Sequence, residues 1–132
     1  MVHEQEQQQR RLITAMASQT EGGQTIAQKV AAMGVDVPAA IRRLGPHIKY
    51  VHFRDVRGTA EAFAETFHDN GPTDMAAAMR AYREVGFDGP MRPDHAPTME
   101  GESNENPGYM VRGQIFAVGY MKGLIDAARA GR

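Results

Sequence analysis

Two short segments rich in β-branched and aromatic residues, each leading into polar side chains, constrain the fold of this chain most strongly. Residues 48–54 alternate, with Val51 and Phe53 on one face, and residues 89–95 form a second segment that its prolines keep brief. Between them, residues 73–86 show the spacing of an amphipathic helix. Strands that alternate with helices form parallel sheets, so the sequence predicts an α/β fold with parallel strands.

Helical patterns also flank this unit. Before the first strand, Asp36 offers an N-cap oxygen to a short helix that ends at Gly45. After the second strand, a polar loop over residues 96–107 leads to the longest helical pattern, residues 109–130. We expect that helix to bury a broad apolar face, made of Ile115, Phe116, Val118, Met121, Leu124, Ile125 and Ala128.

Composition narrows the function classes. Fifteen Lys and Arg against sixteen Asp and Glu give a net charge of -1, which argues against nucleic acid and anionic membranes as partners. The chain has no cysteine, which excludes disulfides, zinc–thiolate sites and thiol nucleophiles. No apolar run reaches the roughly 20 residues that cross a bilayer, and the first residues do not resemble a signal peptide. We expect a cytoplasmic protein without a membrane partner.

The chain divides into two parts, and the second carries most of the sequence patterns that indicate a fold. Residues 1–32 are polar, rich in Gln and Glu, and predict a helical segment of uncertain order. Residues 33–132 carry the alternating strands and helices. A full (β/α)₈ barrel takes about 250 residues, so 132 residues are too few for one.

The polar ends of the two strands are the candidate site. Ligands of parallel α/β proteins bind at the carboxyl ends of strands, where this sequence has His52 and Arg54 on one strand and Asp94 with His95 on the other. Imidazole and carboxylate suit a divalent metal, although two ligands alone make a poor site. A structural, hydrogen-bonded histidine is an equally good reading of His52.

Three further residues have open interpretations. His95 suits general acid–base chemistry because imidazole titrates near neutral pH; the alternative is a solvated loop residue. The phenol of Tyr109, which follows Pro107 and Gly108, could face a cleft or simply pack. His68, in a turn-like stretch, is predicted to lie at the surface or in a lid.

Four segments together resemble the C-terminal part of the mannonate dehydratase family. They are YVHFRDVRG at residues 50–58, ETFHD at 65–69, GFDGPMRPDH at 86–95 and PGY at 107–109. The resemblance runs from about residue 33 to residue 130. It implies a TIM-type barrel of the xylose isomerase-like superfamily, present here as an incomplete C-terminal portion.

The resemblance also implies an activity. The family removes water from D-mannonate to give 2-dehydro-3-deoxy-D-gluconate in hexuronate (glucuronate) catabolism, with Mn²⁺ or Fe²⁺ as the metal. By motif, His52 and Asp94 are similar to metal ligands, and His95 and Tyr109 to residues of proton transfer. By analogy, the substrate carboxylate is contacted by Arg54, Arg57 and Arg92.

One departure from the family pattern qualifies that activity. The resemblance implies a further His and Cys ligand from earlier strands, and this chain contains no Cys. We therefore expect a dehydratase-like hydro-lyase that is truncated and weak or inactive alone, acting as a homo-oligomer or with the missing half of the barrel. The alternatives are a non-catalytic, self-associating module and a small stand-alone metal-binding α/β protein.

Overall fold

A computed structural model describes residues 36–59 and 61–132. Along the chain, the described elements are α1 (Val37–Leu44), a 3₁₀ turn (Gly45–His47), β1 (Val51–Phe53), β2 (Val56–Gly58), β3 (Phe63–Glu65), α2 (Met75–Glu84), β4 (Met91–Pro93) and α3 (Val111–Arg129). The predicted segment 1–32 lies outside the described residues.

The two predicted strands pair in parallel, as expected from the helix between them. β1 and β4 are neighbours in register, with Val51 beside Met91, His52 beside Arg92 and Phe53 beside Pro93. Both strands are only three residues long, shorter than the predicted segments. The predicted α/β class is confirmed.

Alternation in β1 separates an apolar face from a polar one. Val51 and Phe53 are buried in a core with methionines of α2 and α3, and Met91 of β4 packs against the same core. His52 and Arg92 therefore project from the opposite face, where both are exposed. One face of the sheet holds the helices and the other is free to carry polar side chains.

Both helices that precede a strand begin at an aspartate. The Asp36 carboxylate accepts a hydrogen bond from the Ala39 N–H at 3.1 Å, and the Asp74 carboxylate accepts one from the Ala77 N–H at 2.8 Å. The helices then pack together through Ile41 of α1 and small residues of α2. These caps fix where each helix starts, as the sequence predicted for Asp36.

An antiparallel hairpin lies where the sequence predicted no regular structure. β2 and β3 pair Val56 with Glu65, Arg57 with Ala64 and Gly58 with Phe63. Gly58 has a φ of +122°, which non-glycine residues rarely adopt, so it permits the turn. The hairpin folds Glu65 back beside the end of β1.

The predicted buried face of the longest helix is confirmed in its second half, where Met121 and Ala128 are buried and Leu124 and Ile125 pack against the core, and is wrong in its first half. α3 turns Gly113, Ala117, Met121 and Ala128 to the core, whereas Ile115 is 66% exposed, and Phe116 and Val118 are exposed as well. Small residues on the inner side let the helix lie close to the sheet, and the larger apolar residues then fall on the outer side. Among the described residues, none of the helices is long and apolar enough to span a bilayer.

The cap of α2 gives a test of this fold. Asp74→Ala removes the acceptor of the Ala77 N–H and is expected to lower the free energy of unfolding by about 1 kcal/mol. Asp74→Asn keeps a capping oxygen and serves as the matched control, with a loss well below that of the alanine variant. Urea unfolding followed by circular dichroism measures both. Equal losses in the two variants would contradict the capping role.

Candidate functional site

The carboxyl ends of β1 and β4 bring a cluster of charged side chains together. The ladder continues one residue beyond the strands, because the Asp94 N–H donates to the Phe53 carbonyl at 2.9 Å. Arg54 and Asp94 therefore follow His52 and Arg92 on the polar face of the sheet. Asp94 is 1% exposed and Arg54 is nearly as buried.

Arg54 is held by two carboxylates. Its Nε donates to Glu65 Oε2 at 2.8 Å and its Nη2 pairs with Glu65 Oε1, so this contact is made at two points. Its Nη1 lies 3.5 Å from Asp94 Oδ2. Burial lowers the pKa of Arg54 and the neighbouring Asp94 opposes that effect, so the guanidinium remains charged. The Arg54 guanidinium is therefore bound by two carboxylates of the protein itself, although the resemblance implied that Arg54 contacts the substrate carboxylate.

Of the two alternatives for Tyr109, the structure supports the first: its phenol lies in the polar cluster and does not only pack. Its hydroxyl donates to Asp94 Oδ1 at 2.9 Å, and its ring meets the His95 ring edge to face at 4.6 Å between centroids. Burial, followed by the Asp94 hydrogen bond, raises the pKa of Tyr109, so the phenol keeps its proton at neutral pH. The guanidinium of Arg92 lies 5.8 Å from the centre of the ring.

His95 lies between two carboxylates. Its Nδ1 is 3.7 Å from Glu65 Oε1 and its Nε2 is 3.9 Å from Asp94 Oδ1. Burial and the charge of Arg54 lower the pKa of His95, against the opposing effect of Asp94. The imidazole is therefore largely neutral at pH 7 and able to accept a proton.

Two predicted residues lie outside this cluster. His52 is exposed on β1, with its ring 5.6 Å from the Tyr50 ring, and no hydrogen bond joins it to Asp94 in the described part of the chain. Arg57 is exposed on β2 and donates to the Asn70 carbonyl at 2.8 Å, which ties the hairpin to the following turn.

The described residues alone do not complete a metal site. Across residues 36–59 and 61–132, no three His, Asp or Glu side chains are close enough together to hold an ion. The carboxylate of Asp94 already pairs with Arg54 and Tyr109. A Mn²⁺ or Fe²⁺ ion would need ligands beyond His52 and Asp94, since three or four protein ligands are usual.

The prediction that His68 lies at the surface or in a lid is wrong. The side chain is 1% exposed, its ring stacks 6.1 Å from the Phe53 ring, and its Nε2 lies 2.6 Å from the Phe53 carbonyl oxygen. That carbonyl also accepts the Asp94 N–H. His68 thus supports the strand end that positions Asp94, and burial lowers its pKa.

Sequence reasoning missed Glu65 and Asp55 as well as the burial of His68. Asp55 is buried and accepts hydrogen bonds from the N–H and the hydroxyl of Thr73, at 2.8 and 2.9 Å, which anchors the segment before α2. The sequence carries only a weak signal for the strand that holds Glu65, because β2 and β3 are three residues long. Alternation of apolar and polar residues over so short a stretch cannot be distinguished from a loop.

Comparisons with known proteins agree on one family. The profile described as D-mannonate dehydratase (UxuA) matches residues 1–132, including the first 32 residues that the resemblance left outside. A mannonate dehydratase of Enterococcus faecalis is 39% identical over 98 residues, which is 72% of this chain and 27% of the relative. One from Brachyspira hyodysenteriae is 37% identical over 95 residues, 70% of this chain and 26% of the relative.

A solved structure supports the same conclusion. The crystal structure of mannonate dehydratase from Streptococcus suis serotype 2 superimposes with a TM-score of 0.67 at 30% identity, covering 74% of this chain and 30% of that one. The chain thus spans between a quarter and a third of the length of these relatives.

Gly108 supplies a test of the His95 environment. Its φ is +85°, and a Cβ there would lie 2.9 Å from His95 Cγ. Gly108→Ala is expected to cost at least about 1–2 kcal/mol in unfolding free energy and to shift the His95 ring signals in NMR spectra. Gly119→Ala, on an open side of α3, is the control and is expected to stabilise by up to about 1 kcal/mol. A neutral Gly108→Ala variant would contradict this packing.

The buried His68 predicts a pH dependence of stability. The unfolded chain binds a proton at this imidazole near pH 6.5, whereas burial holds the folded pKa lower. The contribution is therefore present above about pH 6.5 and is lost as the pH falls toward the folded pKa. Urea unfolding between about pH 7.5 and pH 5.5 should show a shallower decline in His68→Gln than in the wild type. His47→Gln, at an exposed position, should keep the wild-type slope; an unchanged slope in His68→Gln would refute the prediction.

Proposed function

The chain belongs to the mannonate dehydratase family, and from that premise we propose that its strand-end cluster is the acid–base part of a hydro-lyase site acting on D-mannonate. The observation that carries the proposal is the contact of His95 with Tyr109 beside the buried Asp94. A neutral base and a protonated acid within one small cluster are what removal of water from a sugar acid requires. The product is 2-dehydro-3-deoxy-D-gluconate, an intermediate of hexuronate breakdown in the cytoplasm.

The protonation states assign the roles. His95 accepts the proton on C2 of the substrate, and the C–H electron pair forms a double bond between C2 and C3. The C3–O bond breaks, and the departing hydroxyl takes a proton from Tyr109 and leaves as water. The resulting enol then tautomerises to the 2-keto product. The lowered pKa of His95 and the raised pKa of Tyr109 favour this assignment over its reverse.

Arginine supplies the complementary charge. Arg92 is exposed above the Tyr109 ring, so its guanidinium is available to the substrate carboxylate. Arg54 is buried between Glu65 and Asp94 and instead holds those carboxylates in place. Arg57 contacts the substrate only if the hairpin moves, because it is bound to the Asn70 carbonyl.

In this proposal His52 and Asp94 would be two of the ligands of a divalent metal, Mn²⁺ or Fe²⁺. When bound, such an ion stabilises the negative charge that develops on the substrate as C2 is deprotonated. The two residues do not complete its coordination, so the proton transfers above use the chain's own side chains alone. The fold proposed for the complete site is the TIM-type barrel, with β1 and β4 as adjacent strands.

The outer side of α3 favours a second candidate, a self-associating module. Val111 and Ile115 are 64% and 66% exposed, and Val118 lies on the same side. Exposed apolar stripes of this kind mark surfaces that bind another protein. Light scattering would show a concentration-dependent dimer or larger oligomer, and a monomer throughout would exclude this candidate.

A chimera tests the dehydratase proposal. Residues 36–132 would replace the matching segment of the E. faecalis relative, and formation of the 2-keto acid from D-mannonate with Mn²⁺ would be followed. We expect turnover by the chimera and about 10²- to 10⁴-fold lower kcat in His95→Asn and Tyr109→Phe. The isolated chain is expected to turn over far more slowly than the chimera.

Tyr120→Phe is the matched control, since this tyrosine lies on α3 with its ring stacked 6.3 Å from the Phe116 ring. It should retain the kcat of the chimera within about twofold. The proposal fails if a folded chimera forms no product, or if His95→Asn and Tyr109→Phe turn over like their parent.

A further inference from the structure

Gln114, near the start of α3, contacts the two segments that carry His95 and Tyr109. Neither the sequence patterns nor the family resemblance gives it a role. We propose that Gln114 is a positioning residue, whose side-chain amide holds His95 and Tyr109 in their mutual geometry by binding the peptide group that precedes each of them. This inference rests on the proposed function, in which those two side chains carry out the proton transfers.

The Gln114 side chain makes two hydrogen bonds through one nitrogen. Its Nε2 donates to the Asp94 carbonyl at 2.7 Å and to the Gly108 carbonyl at 3.1 Å. Both partners are backbone carbonyl oxygens, which only accept, so the NH₂ group of the amide must face them and its oxygen cannot. An NH₂ group has two hydrogens, one for each carbonyl. The contact therefore holds both carbonyls against one planar group.

The two carbonyls belong to the peptide groups that lead into the acid–base residues. The Asp94 carbonyl carbon is bonded to the His95 nitrogen, and the Gly108 carbonyl carbon to the Tyr109 nitrogen. Because a peptide group is planar, holding its oxygen also restricts the backbone from which the next side chain extends. Gln114 thus acts on the two rings, whose centroids are 4.6 Å apart, through the backbone that carries them.

The start of α3 packs close enough to the site for this contact. A Cβ at the buried Gly113 would lie 3.0 Å from Ala96 Cβ and 3.1 Å from the Pro97 carbonyl oxygen, so glycine lets the helix approach the segment after β4. The Ala96 N–H also donates to the Gly108 carbonyl at 3.0 Å. Helix packing and backbone pairing bring the two segments together, and the amide of Gln114 fixes their spacing.

The reaction depends on that spacing. His95 and Tyr109 lie on either side of the loop over residues 96–107, and Tyr109 is 37% exposed, so packing around its ring gives only part of the precision that a site needs. A displacement of about 1 Å in a reacting group can cost about 10²-fold in rate. The contact from α3, a regular helix, supplies a rigid reference for both segments.

The contact between the two rings tests the inference without any turnover. In the full 132-residue chain, NOE cross-peaks between the His95 and Tyr109 ring protons report their separation. Gln114→Met keeps a side chain of similar length that cannot donate. We expect the cross-peaks to fall by about threefold or more, as a displacement of about 1 Å would produce. Gln114→Lys keeps a donor at this position and should retain the wild-type intensity within about twofold.

Arg112→Met is the matched control. Arg112 also binds a carbonyl from α3, that of Glu100 at 2.7 Å, but its loss leaves both Gln114 contacts in place, so the ring cross-peaks should not change. A folded Gln114→Met variant with wild-type cross-peaks would overturn the inference. So would a Gln114→Lys variant whose cross-peaks are as weak as those of the methionine variant.

The wild-type amide of Gln114 provides a measurement that needs no variant. Its two side-chain protons should exchange with water at least about tenfold more slowly than those of a fully exposed amide, because both are hydrogen-bonded. Exchange at the rate of an exposed amide would overturn the inference, whether or not Gln114→Met folds.

The chimera separates positioning from substrate binding. Under conditions where the variant is folded, Gln114→Met should lower kcat by about 10²-fold and leave KM within about threefold, because the groups offered to the substrate are still present. A raised KM with the parent's kcat would contradict the positioning role. Failure of the parent chimera to form product would count against the dehydratase proposal, whereas the NMR measurements decide this inference.

Discussion

The pairing of Arg54 with two carboxylates is the interaction on which the strand-end cluster depends. A guanidinium taken out of water costs several kcal/mol unless its donors are matched by charged acceptors. Glu65 and Asp94 supply those acceptors from two different strands, one in the hairpin and one in the parallel sheet. The ion pair therefore holds β1, β3 and β4 in one arrangement, and the acid–base residues take their places around it.

The cluster has two negative charges and one fully buried positive charge before His95 is counted. Its chemistry follows from that arrangement. Burial and Arg54 disfavour a proton on His95, whereas burial and Asp94 favour the proton on Tyr109. One group is thus prepared to accept a proton and its neighbour to donate one, although neither is deeply buried. His68 supports the position of Asp94, because its Nε2 contacts the same Phe53 carbonyl that accepts the Asp94 N–H.

Much of this arrangement could be predicted from the sequence, for identifiable reasons. Asp36 and Asp74 mark the starts of their helices, because an N-cap is a contact between residues close in sequence. The parallel pairing follows from the helix between β1 and β4. The hairpin was missed because three-residue strands carry no periodicity, and with it the place of Glu65. The exposed side of α3 was predicted to be buried, because the sequence shows which residues are apolar but not which side of the helix packs against another element.

A double-mutant cycle on Arg54 and Glu65 tests the central claim most directly. Arg54→Met leaves two carboxylates without their shared partner and is predicted to lower the free energy of unfolding by about 3–5 kcal/mol. Glu65→Gln on that background should cost far less than it does alone, which gives a coupling energy above about 1 kcal/mol. If Arg54→Met unfolds like the wild type, or the two losses simply add, Arg54 does not hold the cluster together.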